Sequence, residues 1–174
     1  MFPTISTERL NLRELQPEDA LDVLTCFSNE DVLRYYGQRP LTSMEQVKDI
    51  LVNFATDFKR KKGVKWGIEV HGQHRIIGTI GFQEWSLEHK RADISYALFP
   101  EFWGEGYANE AVKAAINYGF DEMELTRIGA IVLVGNEASS HILKKQGFQL
   151  EGILQNYMYQ NDQPFDAEIY AITT

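Results

Sequence analysis

Between Ala92 and Glu122 the chain reads ADISYALFPEFWGEGYANEAVKAAINYGFDE, and its apolar period changes from two to 3.6 within a few residues. Ala92, Ile94, Tyr96 and Leu98 alternate with Asp93, Ser95, Ala97 and Phe99, which is the period of a strand. Pro100 stops the strand. After Trp103-Gly104-Glu105-Gly106-Tyr107-Ala108 comes a helical stripe: Ala108, Ala111, Val112, Ala115, Ile116, Gly119 and Phe120 share one face. Two glycines between a strand and a buried helix leave backbone N–H groups unpaired at the helix start and let a ligand approach the backbone. That is an anion site, most naturally for phosphate. The alternative is a purely structural turn. The dinucleotide fingerprint wants a third glycine where Asn109 stands, and the phosphate loop of nucleotide hydrolases wants Gly-Lys-Ser/Thr. Neither pattern is present.

The rest of the chain sets elements around this unit. Arg9 to Leu15 alternates around Leu10 and Leu12 as a first strand. Pro17, Glu18 and Asp19 open a helix that turns Leu21, Leu24 and Phe27 to the core. Thr42 and Glu45 form a capping-box pattern before a second helix carrying Val47, Ile50, Leu51, Phe54 and Phe58. Lys59 to Lys62 are cations at its C-terminus, with Gly63 as the cap. Val64 to Val70 and Ile76 to Phe82 read as strands around a hairpin turn at His71 to His74, with Glu84 at the end of the third strand. Arg127 to Val134 is a near-continuous apolar run, expected to be buried on both faces. Asn136 to Gln146 is a short helix with Ile142 and Leu143 inward. Phe148 to Leu154 and Ala167 to Thr173 are two last strands, joined by a polar connection containing Asn161, Asp162 and Pro164. The order is β-α-α-β-β-β-α-β-α-β-β, an α/β fold of α+β type on a mixed sheet. With no repeat and no linker, residues 1–174 read as a single domain.

Composition narrows the partners. A formal net charge of -8 disfavours nucleic acid and suits a cationic partner, although solubility alone is the plainer explanation. Cys26 stands alone, so there is no disulfide framework, and the four histidines show no metal-ligand spacing. The segment MFPTISTERL has neither a basic region nor an apolar run, and nothing approaches the ~20 apolar residues of a membrane span. The expectation is a soluble cytoplasmic protein without metal or membrane.

The element order, with a glycine turn after the fourth strand, resembles the GNAT superfamily of acetyl-CoA-dependent N-acetyltransferases. That family's pyrophosphate signature, Gln/Arg-x-x-Gly-x-Gly/Ala, falls on Trp103 to Ala108: Gly106 and Ala108 match and Trp103 departs from it. The departure is similar to one branch, the ribosomal-protein N-terminal acetyltransferases (RimJ/RimL-like). Thr7-Glu8-Arg9-Leu10-x-Leu12-Arg13, Glu110-Ala111, Asn136 to Ser139 with Gly147-Phe148, Glu151-Gly152 and Asp166-x-Glu168-x-Tyr170 resemble that branch too. The likeness spans nearly the whole chain.

The resemblance implies a splay between the fourth and fifth strands that receives acetyl-CoA. The N–H groups of Gly104, Glu105, Gly106, Tyr107 and Ala108 would cradle the pyrophosphate. The backbone of Tyr96, Leu98 and Phe99 would pair with the pantetheine, with a backbone N–H near Leu98 as oxyanion donor. Asn136 would bind the cofactor from the far side, or simply cap its helix. Many relatives protonate the leaving thiolate with a tyrosine. That position is Leu143 here, so Ser139, and after it Ser140, is the nearest substitute. Glu84 and Asp93 are the candidates for general base, each with solvated surface as the plainer alternative. The implied reaction acetylates a primary amine, most naturally a protein N-terminus, with a polyamine or aminoglycoside as the alternative acceptor. A non-catalytic acyl-CoA-binding module is the third reading. Tyr157 and Tyr159 either mark a homodimer surface or pack within the chain.

Overall fold

The computed structural model describes residues 1–174. Its strands are β1 (Ile5–Ser6), β2 (Leu10–Glu14), β3 (Val64–Val70), β4 (Ile76–Ser86), β5 (Arg91–Leu98), β6 (Arg127–Leu133), β7 (Gln149–Gln160) and β8 (Gln163–Thr173). The helices are α1 (Ala20–Phe27), α2 (Glu30–Leu33), α3 (Met44–Lys59), α4 (Tyr107–Asp121) and α5 (Glu137–Lys145). All strands join one sheet in the order β1-β2-β3-β4-β5-β6-β8-β7. Every pairing is antiparallel except β5–β6. The mixed α/β architecture matches the expectation. The two-residue β1 is an addition, so the splayed fourth and fifth strands become β5 and β6.

Alternation along β5 sorts the core into two layers. Ile94 and Leu98 join Leu10, Trp66, Phe82 and Ile128 under α4. Ala97 and Phe99 face the other way, onto Val23, Phe27 and Val47 of α1 and α3. The small residues Ala111 and Ala115 of α4 are buried, which lets that helix lie close to the sheet. Trp66 anchors this layer. It is fully buried, stacks edge-on against Phe82 and Tyr118, and donates its indole N–H to the Pro3 carbonyl at 3.0 Å. On the opposite face Arg13 donates to Asp19 at 2.9 and 3.0 Å and to Glu69 at 2.8 Å, tying α1 to β2 and β3. Both carboxylates are buried, so the pairing keeps their charge satisfied.

Several local expectations shift. Residues Pro17–Asp19 form a 3-10 turn, so the phase of α1 is set from Ala20, and Leu21 faces solvent while Ala20, Val23 and Cys26 turn inward. The capping box of α3 is Ser43 with Gln46, one residue beyond Thr42 and Glu45; Gln46 Oε1 accepts from both Thr42 and Ser43 N–H. The left-handed residue after α3 is Lys61, not Gly63. Gly63 serves close approach instead, since a Cβ there would meet the Phe82 carbonyl at 2.6 Å. β6 is not covered on both faces, because Ile131 is 37% exposed on the side away from α4. The expected polar connection is a long hairpin. β7 and β8 run to Gln160 and from Gln163, and Asn161 and Asp162, both at positive φ, make its two-residue turn. Tyr157 and Tyr159 stand exposed on β7 rather than packing at home.

Replacing Trp66 by Ala removes the largest core side chain and leaves the Pro3 carbonyl without its donor. Urea denaturation is expected to show a loss of roughly 3–5 kcal/mol. A loss below about 1 kcal/mol would contradict the assigned core.

Candidate active site

β5 and β6 pair only through Arg91↔Arg127, Ala92↔Ile128 and Asp93↔Gly129. Beyond that point β5 stays with β4 and β6 stays with β8, so the two strands part in a V. The Phe99 N–H donates to Ile77 O at 2.8 Å, and bonding alternates along an antiparallel pair, so the N–H groups of Leu98 and Tyr96 face the gap, beyond the last bridge to β6. Trp103 explains its own presence here. Its indole N–H donates to the Leu98 carbonyl at 2.8 Å, which occupies that acceptor and leaves the Leu98 N–H open. Phe99 N–H, by contrast, is spent on β4.

The glycine turn lies above the V. Gly104 has φ 78° and Gly106 has φ 82°, values that glycine adopts without strain. No backbone or side-chain acceptor receives the N–H groups of Gly104, Glu105, Gly106, Tyr107, Ala108 or Asn109. They form an electropositive cradle where the α4 dipole begins.

Across the gap stands α5. Asn136 caps it, its side-chain oxygen accepting the Ser139 N–H at 3.3 Å, so the capping role is real. The Ser139 hydroxyl lies 3.0 Å from the hydroxyl of Tyr96 and joins α5 to β5 across the open V. Burial raises the Tyr96 pKa while the Ser139 bond pulls it down; the phenol stays protonated at neutral pH. Sequence reasoning named both residues but not their meeting, because β5 and α5 lie far apart in the chain. Leu143 is buried in the core, so nothing at that position reaches the gap. Ser140 points away, donating to Glu168, which also accepts from the Tyr170 hydroxyl. Those residues line a separate cavity of about 330 Å³ on the far side of α5.

The two candidate bases separate. Glu84 is exposed, at φ 51° in a bulge within β4 rather than at the strand's end. Asp93 sits at the base of the V on the face opposite Tyr96; a Cβ on Gly129 would come 2.5 Å from its Oδ1. Burial raises the Asp93 pKa, partly opposed by Arg91.

The chain that carries this arrangement is similar to known proteins. A family model described as an acetyltransferase (GNAT) domain matches residues 9–149. The chain belongs to the GNAT acetyltransferase family. The uncharacterized N-acetyltransferase YoaA of Bacillus subtilis is 45% identical over 172 residues, spanning 99% of this chain and 97% of that protein. The spermidine N(1)-acetyltransferase of Escherichia coli K12 is 30% identical over 158 residues, 91% and 82% of the two chains. The solved structure of RimL, a ribosomal L7/L12 alpha-N-protein acetyltransferase in complex with coenzyme A, superposes with a TM-score of 0.90 over 98% of both chains at 22% identity, a likeness of fold. As a GNAT N-acetyltransferase, this protein uses acetyl-CoA as its cosubstrate.

One titratable group near the V was not anticipated. Lys65 of β3 reaches across Gly81, its neighbour in β4, to donate to Ser95 Oγ of β5 at 3.1 Å. Its ammonium lies 5.6 Å from the Phe54 ring and has no carboxylate partner. Burial lowers its pKa to about 8, against an ordinary 10.5. Below pH 8 both folded and unfolded states carry the charge, and the folded state bears its full desolvation. Between the two values the unfolded chain binds more protons, so stability rises with pH. Lys65→Met should therefore stabilise the protein at pH 7, with a gain that shrinks from pH 8 upward and is gone above 10.5. A gain that does not vary with pH, measured by urea titration at several pH values, would refute the assignment.

Proposed function

We propose that this enzyme acetylates the α-amino group of a protein N-terminus by direct attack in a ternary complex, and that it belongs to the ribosomal-protein branch of the family. The observation that carries the site assignment is the free row of N–H groups from Gly104 to Asn109 standing beside the open Leu98 N–H. In this reading the turn holds the CoA pyrophosphate and the β5 edge holds the pantetheine as an added strand. The thioester carbonyl oxygen takes the Leu98 N–H. The neutral amine nitrogen attacks the carbonyl carbon, and negative charge collects on that oxygen, where such a donor contributes roughly 3 kcal/mol. The carbon–sulfur bond then breaks. The CoA sulfur takes a proton from the Ser139 hydroxyl, which Tyr96 can resupply through the bond between them. The amide nitrogen gives up its extra proton to water, with the half-buried Asp93 at the base of the V as the candidate carboxylate to receive it.

The acceptor follows from proton chemistry. Glu84 is exposed in its bulge and Asp93 lies low in the V, which supports a reaction with little help from a base. An α-amino group, with a pKa near 7.7–8.0, is roughly a tenth to a sixth neutral at pH 7, whereas a lysine is well below 0.1% neutral. The motifs shared with the ribosomal-protein branch support the same choice. A small polyamine is the second reading, favoured by the 30% identity to the spermidine enzyme. We read the setting as cytoplasmic, in keeping with the single buried Cys26.

The test is thiol release from acetyl-CoA with a panel of peptide N-termini, lysine peptides, polyamines and aminoglycosides. Peptide N-termini are expected to stimulate it most, and Ser139→Ala to lower kcat roughly tenfold or more with KM for acetyl-CoA little changed. Stimulation by polyamines alone would replace the acceptor with the second reading, and an undiminished kcat in Ser139→Ala would remove that residue from proton transfer.

A further inference from the structure

The Thr7-Glu8-Arg9-Leu10 motif lies far from the glycine turn in sequence, yet Arg9 is built into it. Its Nη1 donates to the Glu105 carbonyl at 2.8 Å. Its Nε donates to Glu110 Oε1 at 2.7 Å, and its backbone N–H donates to Oε2 of the same carboxylate at 2.9 Å. The Thr7 hydroxyl donates to that Oε2 as well. The guanidinium carbon sits 4.4 Å from the centroid of the Tyr107 ring. The remaining nitrogen, Nη2, has no acceptor, and a Cβ on Gly106 would come within 3.2 Å of it. Glu110 thus fixes the guanidinium from behind, and one N–H₂ edge remains free against the turn.

Trp103 supplies the complementary observation. The signature position that carries Gln or Arg in relatives is tryptophan here, and its indole is turned down onto the Leu98 carbonyl. No cation comes to the turn from that position. The chain as a whole carries a formal charge of -8, so an incoming pyrophosphate depends on local positive charge. Glu105 and Glu110 flank the turn, and the Arg9 guanidinium, paired with the Glu110 carboxylate, is the cation bonded to the turn.

We propose that Arg9 is a positioning residue for the pyrophosphate. By gripping the Glu105 carbonyl it holds the Gly104 to Ala108 N–H groups convergent, and through its free Nη2 edge it supplies the positive charge that Trp103 does not. This rests on the assignment of the turn to the pyrophosphate of CoA. It adds that the N-terminal segment, and not only the strand–helix unit, belongs to the cofactor site.

The experiment compares two acetyl donors on each enzyme: acetyl-CoA, and S-acetylpantetheine, which lacks the pyrophosphate and adenosine. The readout is the ratio of kcat/KM for the two donors, in which partial unfolding of a variant cancels. Arg9→Ala should lower that ratio roughly tenfold or more, the size of one charge-assisted hydrogen bond, mainly through KM for acetyl-CoA. Arg9→Lys, which keeps the charge without the planar fork, should recover part of it. An equal loss on both donors would make Arg9 a structural brace only, and an unchanged ratio would remove it from the site. Wild-type CoA binding without acetyl transfer from either donor would overturn the enzymatic reading instead. Arg9 would then be judged on the calorimetric Kd for CoA, where an unchanged value in Arg9→Ala rejects it.

Discussion

The parting of β5 from β6 after Asp93 is the constraint on which the rest of the structure depends. A parallel pair normally continues as far as both strands do, because every backbone N–H and C=O needs a partner. Here β5 runs on to Leu98 and β6 to Leu133 with no bonds between them. Each follows its outer neighbour instead, β5 bonded to β4 and β6 to β8. The vacated edge is left with unpaired backbone groups. It is polar, extended and of strand length, so it suits a ligand that itself carries amides. The indole of Trp103 closes one acceptor of that edge and leaves its neighbouring donor exposed, a selective opening rather than a general one.

The surrounding packing supplies rigidity. Trp66, Phe82 and Tyr118 interlock beneath α4, so the helix whose first turn carries the free N–H row is fixed to the sheet by its buried alanines. Gln146 reaches from the end of α5 to Asn109 at 3.3 Å, tying the two helices that flank the V. The hydroxyl pair Tyr96–Ser139 makes a second tie nearer the base. In the proposed site, anion affinity in an acidic chain would come from oriented backbone dipoles and one clamped guanidinium rather than from net charge.

Much of this was legible in the sequence, for identifiable reasons. The strand–turn–helix unit combines a clean period of two, two glycines and a clean period of 3.6, and each signal is local. Gly104 and Gly106 do sit at positive φ, and Ala111, Val112, Ala115 and Ile116 are the buried face of α4. Leu21 was misplaced because a 3-10 turn resets helical phase without any marker in composition. The outer halves of β7 and β8 were hidden because both faces there are largely exposed, so no apolar alternation is imposed on them. Ile131 looked like core because an apolar run carries no sign of which neighbour is missing. The Tyr96–Ser139 pair and the grip of Arg9 on Glu105 could not be read at all, since both join segments that only the sheet order brings together.

The central claim is that CoA occupies the V with its pyrophosphate on the glycine turn. Amide hydrogen exchange, followed residue by residue with and without CoA, tests it most directly. Fast exchange is expected at Leu98 and from Gly104 to Asn109 in the free protein, with strong slowing at those amides when CoA is added and little change in α1 and α3. CoA binding that leaves those amides unprotected, and slows exchange instead around Ser140 and Glu168 on the far side of α5, would contradict it.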